Sequence, residues 1–268
     1  MTPPGRWFDR HDPADMELPA TIDDPLDGAP AHLRRFRRFS PLKQRNWVAP
    51  CGATDPQIVR QAIAATYGTI EMIDDAVGRI LATIDGLGQD ADTVVVFTSD
   101  HGDMMGDHGL FLKGFMHYRG TLQVPLVIRA PGRMPGRSAA LASTLDLCPT
   151  ILDLLGVQPF NGIQGRSLTP ILADPAALVR RHVLVEDDLP SAERSGSFVP
   201  AKTRTVITDR ARYTRNSKGE EQLFDLAADP DELADLKDLD DGLGREMRDL
   251  MMDALIEADD LAREAPVG

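Results

Sequence analysis

The sequence predicts an α/β protein, in which part of a mostly parallel sheet flanked by helices precedes a small α+β subdomain. A long helical pattern runs into a glycine turn and then an apolar strand, which together form an αβ unit. From about residue 182, short strand-like runs alternate with polar turns, and an amphipathic helical pattern follows them. We therefore expect an α/β domain over residues 1–178. A subdomain with a short antiparallel sheet and a C-terminal helix is expected over residues 179–268.

The N-terminal third is expected to contain one irregular segment and two helices. The first 30 residues hold six prolines and no sustained periodicity, which predicts an irregular surface segment. A short basic helix is expected over residues 31–43, and a longer one from the N-cap Asp55 and Pro56 to about Ile84, ending at glycines 86 and 88. The basic side chains favour a solvated helix face over an anion-binding patch: Arg34, Arg35, Arg37, Arg38, Lys43 and Arg45.

A strand followed by polar residues forms the centre of the prediction. The apolar run at residues 94–97 predicts a strand buried on both faces. Asp100 and His101 come soon after it, and Gly102 is expected to let the backbone turn tightly. Ligand sites in α/β sheets lie beyond the carboxyl ends of the strands. Asp100 and His101 are therefore candidate metal ligands.

A lysine completes this candidate site. Lys113 lies in a loop rich in Gly, Met and His, and a second buried strand is predicted over residues 124–128. An oxygen donor, an imidazole and a lysine near one strand end suit a divalent cation and a bound oxyanion.

The C-terminal half is expected to begin with two short helices, at residues 146–155, closed by Gly156, and at 167–172. Four short strands then form an antiparallel sheet, on which the amphipathic helix at residues 243–262 should pack. The predicted strands cover residues 182–185, 202–208, 212–214 and 222–226.

Composition and charge limit the classes of partner, the location and the cysteine chemistry that we expect for this chain. The chain has 29 basic and 42 acidic residues and a net charge of -13, which argues against nucleic-acid binding. No apolar run is long enough to span a membrane, and the N-terminus lacks the apolar core of a secretion signal. As written, the chain is expected to be cytoplasmic. Cys51 and Cys148 make neither a disulfide framework nor a metal-site spacing, and Cys148 is expected to be a packed structural thiol.

Six segments, in order along the chain, resemble the sulfatases of the alkaline-phosphatase superfamily. The strongest begins with TVVVFTSDHGD at residues 93–103 and continues through GDHGL at 106–110, Lys113 and VPLV at 124–127. The resemblance implies that residues 1–178 are the C-terminal part of a sulfatase-like catalytic domain. The other similar segments are residues 9–19, 67–81, 146–153, 165–168 and 223–236.

The resemblance also implies an earlier half that these 268 residues do not contain. Family members carry there two aspartates, a Lys/His pair and a Cys-x-Pro-x-Arg motif whose cysteine, or serine in some members, becomes the formylglycine nucleophile. No such motif is present, because Cys51 is followed by Gly-Ala-Thr-Asp and Cys148 by Pro-Thr-Ile-Leu. We therefore expect a truncated chain, or one with a misassigned start, and association with a missing N-terminal half.

Residue by residue, the resemblance implies that Asp100 and His101 bind a divalent metal and that Lys113 binds the sulfate. Calcium is the expected ion, while the imidazole of His101 leaves manganese or zinc open. His108 is a second catalytic candidate, with a loop-stabilising role equally open. Neighbouring residues are expected to pack, to cap the loop or to be solvated: Asp103, Asp107, His117 and Tyr118.

The implied activity is metal-dependent hydrolysis of a small-molecule or saccharide sulfate ester. Two alternatives stay open: hydrolysis of a phosphonate or phosphate ester on the same metal site, and a catalytically inactive remnant. Without preceding strands, the strands at residues 94–97 and 124–128 would expose an unpaired edge and apolar faces.

Overall fold

A computed structural model describes residues 3–39, 51–160, 162–189, 197–237 and 242–260. Contacts divide the chain into two compact units, Met1–Pro131 and Gly132–Gly268. The domain boundary expected at residues 178/179 stays a prediction. It was drawn between a catalytic domain and a subdomain, and a division into compact units by contacts does not test it.

Two helices of the first unit follow local sequence signals. Helix α1 is Ala31–Arg37 and helix α2 is Pro56–Gly86. The side chain of Asp55 accepts hydrogen bonds from the N–H groups of Gln57 (2.9 Å) and Ile58 (3.4 Å), which confirms the predicted N-cap. Helix α1 is shorter than expected, and Lys43 and Arg45 lie outside the described residues. Arg34, Arg35 and Arg38 are exposed, in agreement with a solvated face.

The N-terminal segment is irregular, as predicted, but it is not confined to the surface. It contains short 3-10 turns at Gly5–Trp7 and Pro13–Asp15, and it buries several apolar side chains. The surface assignment was wrong because turns bury side chains without leaving a periodic pattern in the sequence. One apolar cluster joins this segment to helix α2 and to residues near the polar loop: Met16, Ile22, Cys51, Ala53, Val59, Ile63, Ala64 and Phe111.

The strands of the first unit pair antiparallel, so the predicted mostly parallel sheet is not seen in the described residues. Strand β1 (Cys51–Gly52) pairs with β3 (Leu110–Phe111), and β2 (Val95–Thr98) pairs with β4 (Leu126–Arg129). The chain between β2 and β4 contains the short helix α3 (Arg119–Leu122) and reverses direction, and a reversal of this kind brings two strands together antiparallel.

Strand β2, predicted to be buried on both faces, and strand β4, predicted to be buried, are both partly exposed. Phe97 and Val127 are partners across the β2–β4 ladder and are 41% and 61% exposed. Exposure of this ladder is what we expected if further strands are needed to cover it.

In the second unit, helices α4 (Leu147–Leu154) and α5 (Thr169–Ala173) confirm the two short helices predicted after residue 145. Buried Asp146 connects them to neighbouring segments. Its carboxylate accepts hydrogen bonds from the backbone N–H groups of Ser143 and Arg166, both at 2.8 Å, and forms a bidentate ion pair with Arg180. Cys148 is exposed, so its predicted packing was wrong.

A four-stranded antiparallel meander completes the second unit and confirms the predicted short sheet. Its strands pair in chain order: β5 (Val183–Asp188), β6 (Lys202–Ile207), β7 (Ala211–Asn216) and β8 (Glu221–Asp225). Helix α6 (Gly242–Asp260) places Leu243, Met247 and Met251 in one core cluster with apolar residues of β6, β7 and β8. The helix therefore packs on the sheet as expected. None of the helices in the described residues is long and apolar enough to cross a membrane.

Candidate active site

Asp100 and His101 lie just beyond the end of strand β2, where the sequence placed them. The carboxylate of Asp100 is 83% exposed, and its Oδ2 lies 3.4 Å from Nε2 of His101. The backbone N–H of His101 donates to Oδ1 of Asp100 at 3.0 Å, and the hydroxyl of Ser99 donates to the backbone oxygen of His101 at 2.9 Å. These local bonds hold the two candidate ligands side by side.

The His101 ring bonds the backbone through one nitrogen and turns the other toward the candidate site. Nδ1 lies 2.8 Å from the carbonyl oxygen of Gly102, so the ring donates its Nδ1 proton there. Nε2 then carries a lone pair and lies on the side of Asp100. A backbone carbonyl that fixes the tautomer in this way is a common support of metal-binding histidines.

Lys113 joins the pair from twelve residues further along the chain. Its Nζ makes a hydrogen bond with Nε2 of His101, and the lysine side chain is exposed. All three residues singled out for a cation and an oxyanion thus meet at one point. This convergence is the main geometric finding at the site.

Gly102 is required by a close approach rather than by a tight turn. Its N–H donates to the carbonyl oxygen of Thr121 at 2.9 Å. A Cβ added at Gly102 would lie 2.0 Å from the carbonyl oxygen of Gly120. Gly102 therefore lets the backbone at residues 120–121 pack against the segment that carries Asp100 and His101.

The electrostatics of the site favour an ionised carboxylate. Desolvation alone would raise the pKa of Asp100, but it is outweighed by the neighbouring His101, through its side chain and its backbone N–H, and by the charge of Lys113. The pKa therefore lies below its ordinary value, and Asp100 carries a full negative charge near neutral pH.

Asp103 holds the loop that connects His101 to Lys113. Its Oδ1 accepts hydrogen bonds from the N–H groups of Met105 (2.9 Å) and Leu112 (3.0 Å). The N–H of Met104 donates in turn to the carbonyl oxygen of Leu112 at 3.0 Å. These contacts confirm the loop-capping role predicted for Asp103.

Several residues of this loop have left-handed backbone conformations, which cost a non-glycine residue about 1 kcal/mol or more. Such conformations persist where surrounding contacts hold them. The non-glycine residues concerned are Met105 (φ 45°), His108 (φ 53°), Leu112 (φ 69°) and Phe115 (φ 57°).

His108 is buried in contacts with the N-terminal segment. Its Nδ1 lies 2.6 Å from Oδ2 of Asp24, and its ring stacks on Tyr118 with centroids 4.1 Å apart. Its backbone N–H donates to Oγ1 of Thr21, whose hydroxyl donates to Asp107. These contacts favour the loop-stabilising role, while its catalytic role stays a prediction.

Asp24 was missed by the sequence reasoning because it lies in the segment assigned to the surface. Burial alone would raise the pKa of Asp24. The hydrogen bond from His108, the N–H of Leu26 and the charges of His108 and Arg37 outweigh this effect, so the pKa of Asp24 lies below its ordinary value. No local pattern pointed to this aspartate.

His117 and Tyr118 are buried, which confirms that they pack.

The residues present fit a divalent cation in part. The lone pair on Nε2 of His101 and the exposed Asp100 carboxylate provide two adjacent donors. Among the described residues, no group of three or more His, Cys, Asp or Glu side chains could hold a metal ion. A calcium ion takes six to eight oxygen ligands, so most of its coordination must come from elsewhere.

Comparison with known proteins identifies the family. A model of the sulfatase family matches residues 24–157, half of the chain, and includes the loop with Asp100, His101 and Lys113. The chain belongs to the sulfatase family. A second model, N-sulphoglucosamine sulphohydrolase, C-terminal, matches residues 106–258.

Relatives show how much of a sulfatase is represented. An arylsulfatase of Clostridium perfringens is 31% identical over 88% of this chain and 46% of its own length. A multifunctional alkaline phosphatase superfamily protein of Trinickia caryophylli is 34% identical over 83% of this chain and 46% of its own length. The chain therefore spans about half the length of the curated relatives it matches.

Solved structures support a sulfatase-like α/β fold. A phosphonate monoester hydrolase from Silicibacter pomeroyi is similar with a TM-score of 0.78 and 25% identity. The match covers 96% of this chain and 53% of the hydrolase.

Proposed function

We propose that this chain supplies one half of the active site of a metal-dependent sulfate ester hydrolase. The observation that carries the proposal is the convergence of Asp100, His101 and Lys113 at the end of strand β2. Asp100 and His101 would hold the cation, and Lys113 would bind an oxygen of the sulfate. Calcium is the first candidate, and manganese or zinc suits the imidazole equally.

Each side chain has a definite task in this reaction. A bound divalent cation supplies Lewis acidity and positive charge beside the sulfate oxygens. Lys113 donates a charge-assisted hydrogen bond to a sulfate oxygen and offsets negative charge that develops during bond cleavage. The Nδ1–H bond to the carbonyl oxygen of Gly102 orients the His101 ring so that Nε2 lies on the side of Asp100.

The nucleophile must come from outside these 268 residues, which contain no Cys-x-Pro-x-Arg motif. We propose that a segment equivalent to the other half of the relatives provides it, either on a longer polypeptide or on a second chain. The gene sequence next to the first codon tests this. A reading frame there that encodes Cys-x-Pro-x-Arg supports a longer polypeptide, and a separate gene that encodes it elsewhere in the genome supports a second chain. A genome with neither supports an inactive remnant.

The exposed β2–β4 ladder is the surface where this partner segment would dock. Phe97 and Val127 expose apolar side chains side by side, and β2 pairs with β4 alone among the described strands. The chain by itself should therefore self-associate in light scattering. Val127→Lys should reduce the association, whereas Leu87→Lys, a matched change at another exposed apolar residue, should not. A monodisperse, cooperatively unfolding chain would contradict this docking surface.

The substrate class is a small-molecule or saccharide sulfate ester. A phosphonate or phosphate ester is the second candidate, because the phosphonate monoester hydrolase matches nearly the whole chain. Once a partner segment is present, the rates with 4-nitrophenyl sulfate and a 4-nitrophenyl phosphonate monoester distinguish these two. The chain alone should show little turnover of either, and turnover by the chain alone that Lys113→Ala abolishes would refute the divided site.

Cation binding tests the site without any turnover. Calorimetric titration with calcium should give a weak dissociation constant, on the order of 1 mM, because two protein ligands leave most coordination to water. Asp100→Asn and His101→Ala should each abolish the heat. Asp74→Asn, at an exposed helical position of α2, serves as the matched control. Unchanged binding in both site variants would exclude Asp100 and His101 as ligands.

A further inference from the structure

We infer that Asp103 is a positioning residue for Lys113: its carboxylate fixes the loop so that the lysine reaches His101. This inference rests on the proposed function, since it concerns how the sulfate-binding lysine is placed. It starts from a problem of chain geometry. Eleven residues separate His101 from Lys113, and a flexible loop of that length would let the exposed lysine sample many positions.

Hydrogen bonds to Asp103 restrain the loop at both of its ends. Asp103 is two residues after His101, and Leu112, whose N–H donates to the Asp103 carboxylate, directly precedes Lys113. A single oxygen, Oδ1, accepts from the N–H of Leu112 at 3.0 Å and from that of Met105 at 2.9 Å. The start and the end of the loop are thereby tied to one atom.

A second bond makes the connection two-sided. The N–H of Met104 donates to the carbonyl oxygen of Leu112 at 3.0 Å, so both backbone groups of Leu112 are held by residues 103–104. Leu112 has a φ of 69°, a conformation that leucine rarely adopts without such support. Its backbone orientation sets the direction in which the next residue, Lys113, leaves the loop.

The carboxylate suits this task better than other acceptors. Hydrogen bonds from backbone N–H groups to an ionised acceptor are stronger than those between neutral groups. Asparagine retains the Oδ1 acceptor and should preserve the geometry, whereas alanine removes it. The pair of variants therefore separates the loss of the acceptor from the loss of the charge.

Nuclear magnetic resonance of the full chain tests the inference without measuring turnover. In the wild-type chain, the amide of Leu112 should exchange with solvent about 10- to 100-fold more slowly than a free loop amide. A nuclear Overhauser effect should join the side chains of Lys113 and His101. Asp103→Ala should abolish both signals and Asp103→Asn should retain both. Asp92→Ala, at an exposed residue before β2, should change neither.

Two results would overturn the inference: an unprotected Leu112 amide in the wild-type chain, or an unchanged Lys113–His101 signal in Asp103→Ala. If the alanine variant does not fold, Asp103→Leu, which keeps the side-chain volume and removes the acceptor, takes its place with the same expected loss of both signals. An unchanged Lys113–His101 signal in that variant would overturn the inference. Failure of calcium binding with these signals intact would refute the proposed function and leave the positioning role standing.

Discussion

Replacing His108 provides a quantitative test of how the site loop is held. The ring lies in a buried pair with Asp24 at 2.6 Å, and the two side chains are 3% and 13% exposed. Removing one partner of such a pair leaves a buried charge and costs about 3 kcal/mol in the free energy of unfolding. Both His108→Ala and His108→Gly should lose this amount, because neither variant reaches Asp24.

The backbone makes the two variants differ. His108 has a φ of 53°, where alanine pays about 1 kcal/mol that glycine does not. We therefore expect His108→Gly to be more stable than His108→Ala by about 1 kcal/mol, although glycine is the smaller residue. At most other positions the order would be the reverse.

Urea unfolding followed by circular dichroism measures both differences. In an Asp24→Asn background, the cost of His108→Ala should fall by about 1–2 kcal/mol, because no buried carboxylate is left unpaired. Equal stability of the glycine and alanine variants would refute the left-handed backbone at this residue. An unchanged cost in the Asp24→Asn background would refute the ion pair.

Three further predictions concern stability. The folded-state pKa of Asp24 lies below 3.8, so the stability that the ionised carboxylate contributes is complete above that pH and is lost as the pH falls through the lowered pKa. Acid unfolding of the wild-type chain should show this loss of stability below about pH 4, and Asp24→Asn should show less of it. Asp146→Ala should cost about 3–5 kcal/mol in urea unfolding, because the guanidinium of Arg180 loses its buried partner, and a cost below 1 kcal/mol would contradict this account. Gly52→Ala should lower stability by about 2 kcal/mol in the same assay, because the new Cβ would lie 2.0 Å from the carbonyl oxygen of Arg37, whereas Gly86→Ala on helix α2 has open space and should be tolerated.

The elements that the sequence placed correctly are those whose signals are local. The Asp55–Pro56 start of helix α2 lies within one turn, and the side chain of Asp55 caps the N–H groups two and three residues ahead. Strands β6, β7 and β8 are joined by short polar turns, so neighbours in the sequence become neighbours in the sheet. Pattern and structure agree there because few other arrangements are available.

The direction and exposure of strands β2 and β4 could not be read in the same way. An apolar run predicts a strand, but whether it pairs parallel or antiparallel depends on the path of the chain between the two strands. Burial depends on what else covers the sheet, and Phe97 and Val127 are exposed in the chain as described. Exposed Cys148 is a similar case, since its neighbours in space decide its burial.

In the candidate site, too, some features follow from local sequence and others from tertiary contacts. The sequence by itself determined the candidate residues for the proposed chemistry, because Asp100, His101 and Lys113 stand at recognisable spacing after a strand. Only the tertiary structure decided what holds them: the Asp103 bonds across the loop, and the contact of His108 with Asp24, 84 residues away. Ligand identity is a local property of side chains, whereas the geometry that makes three of them converge depends on contacts between distant parts of the chain.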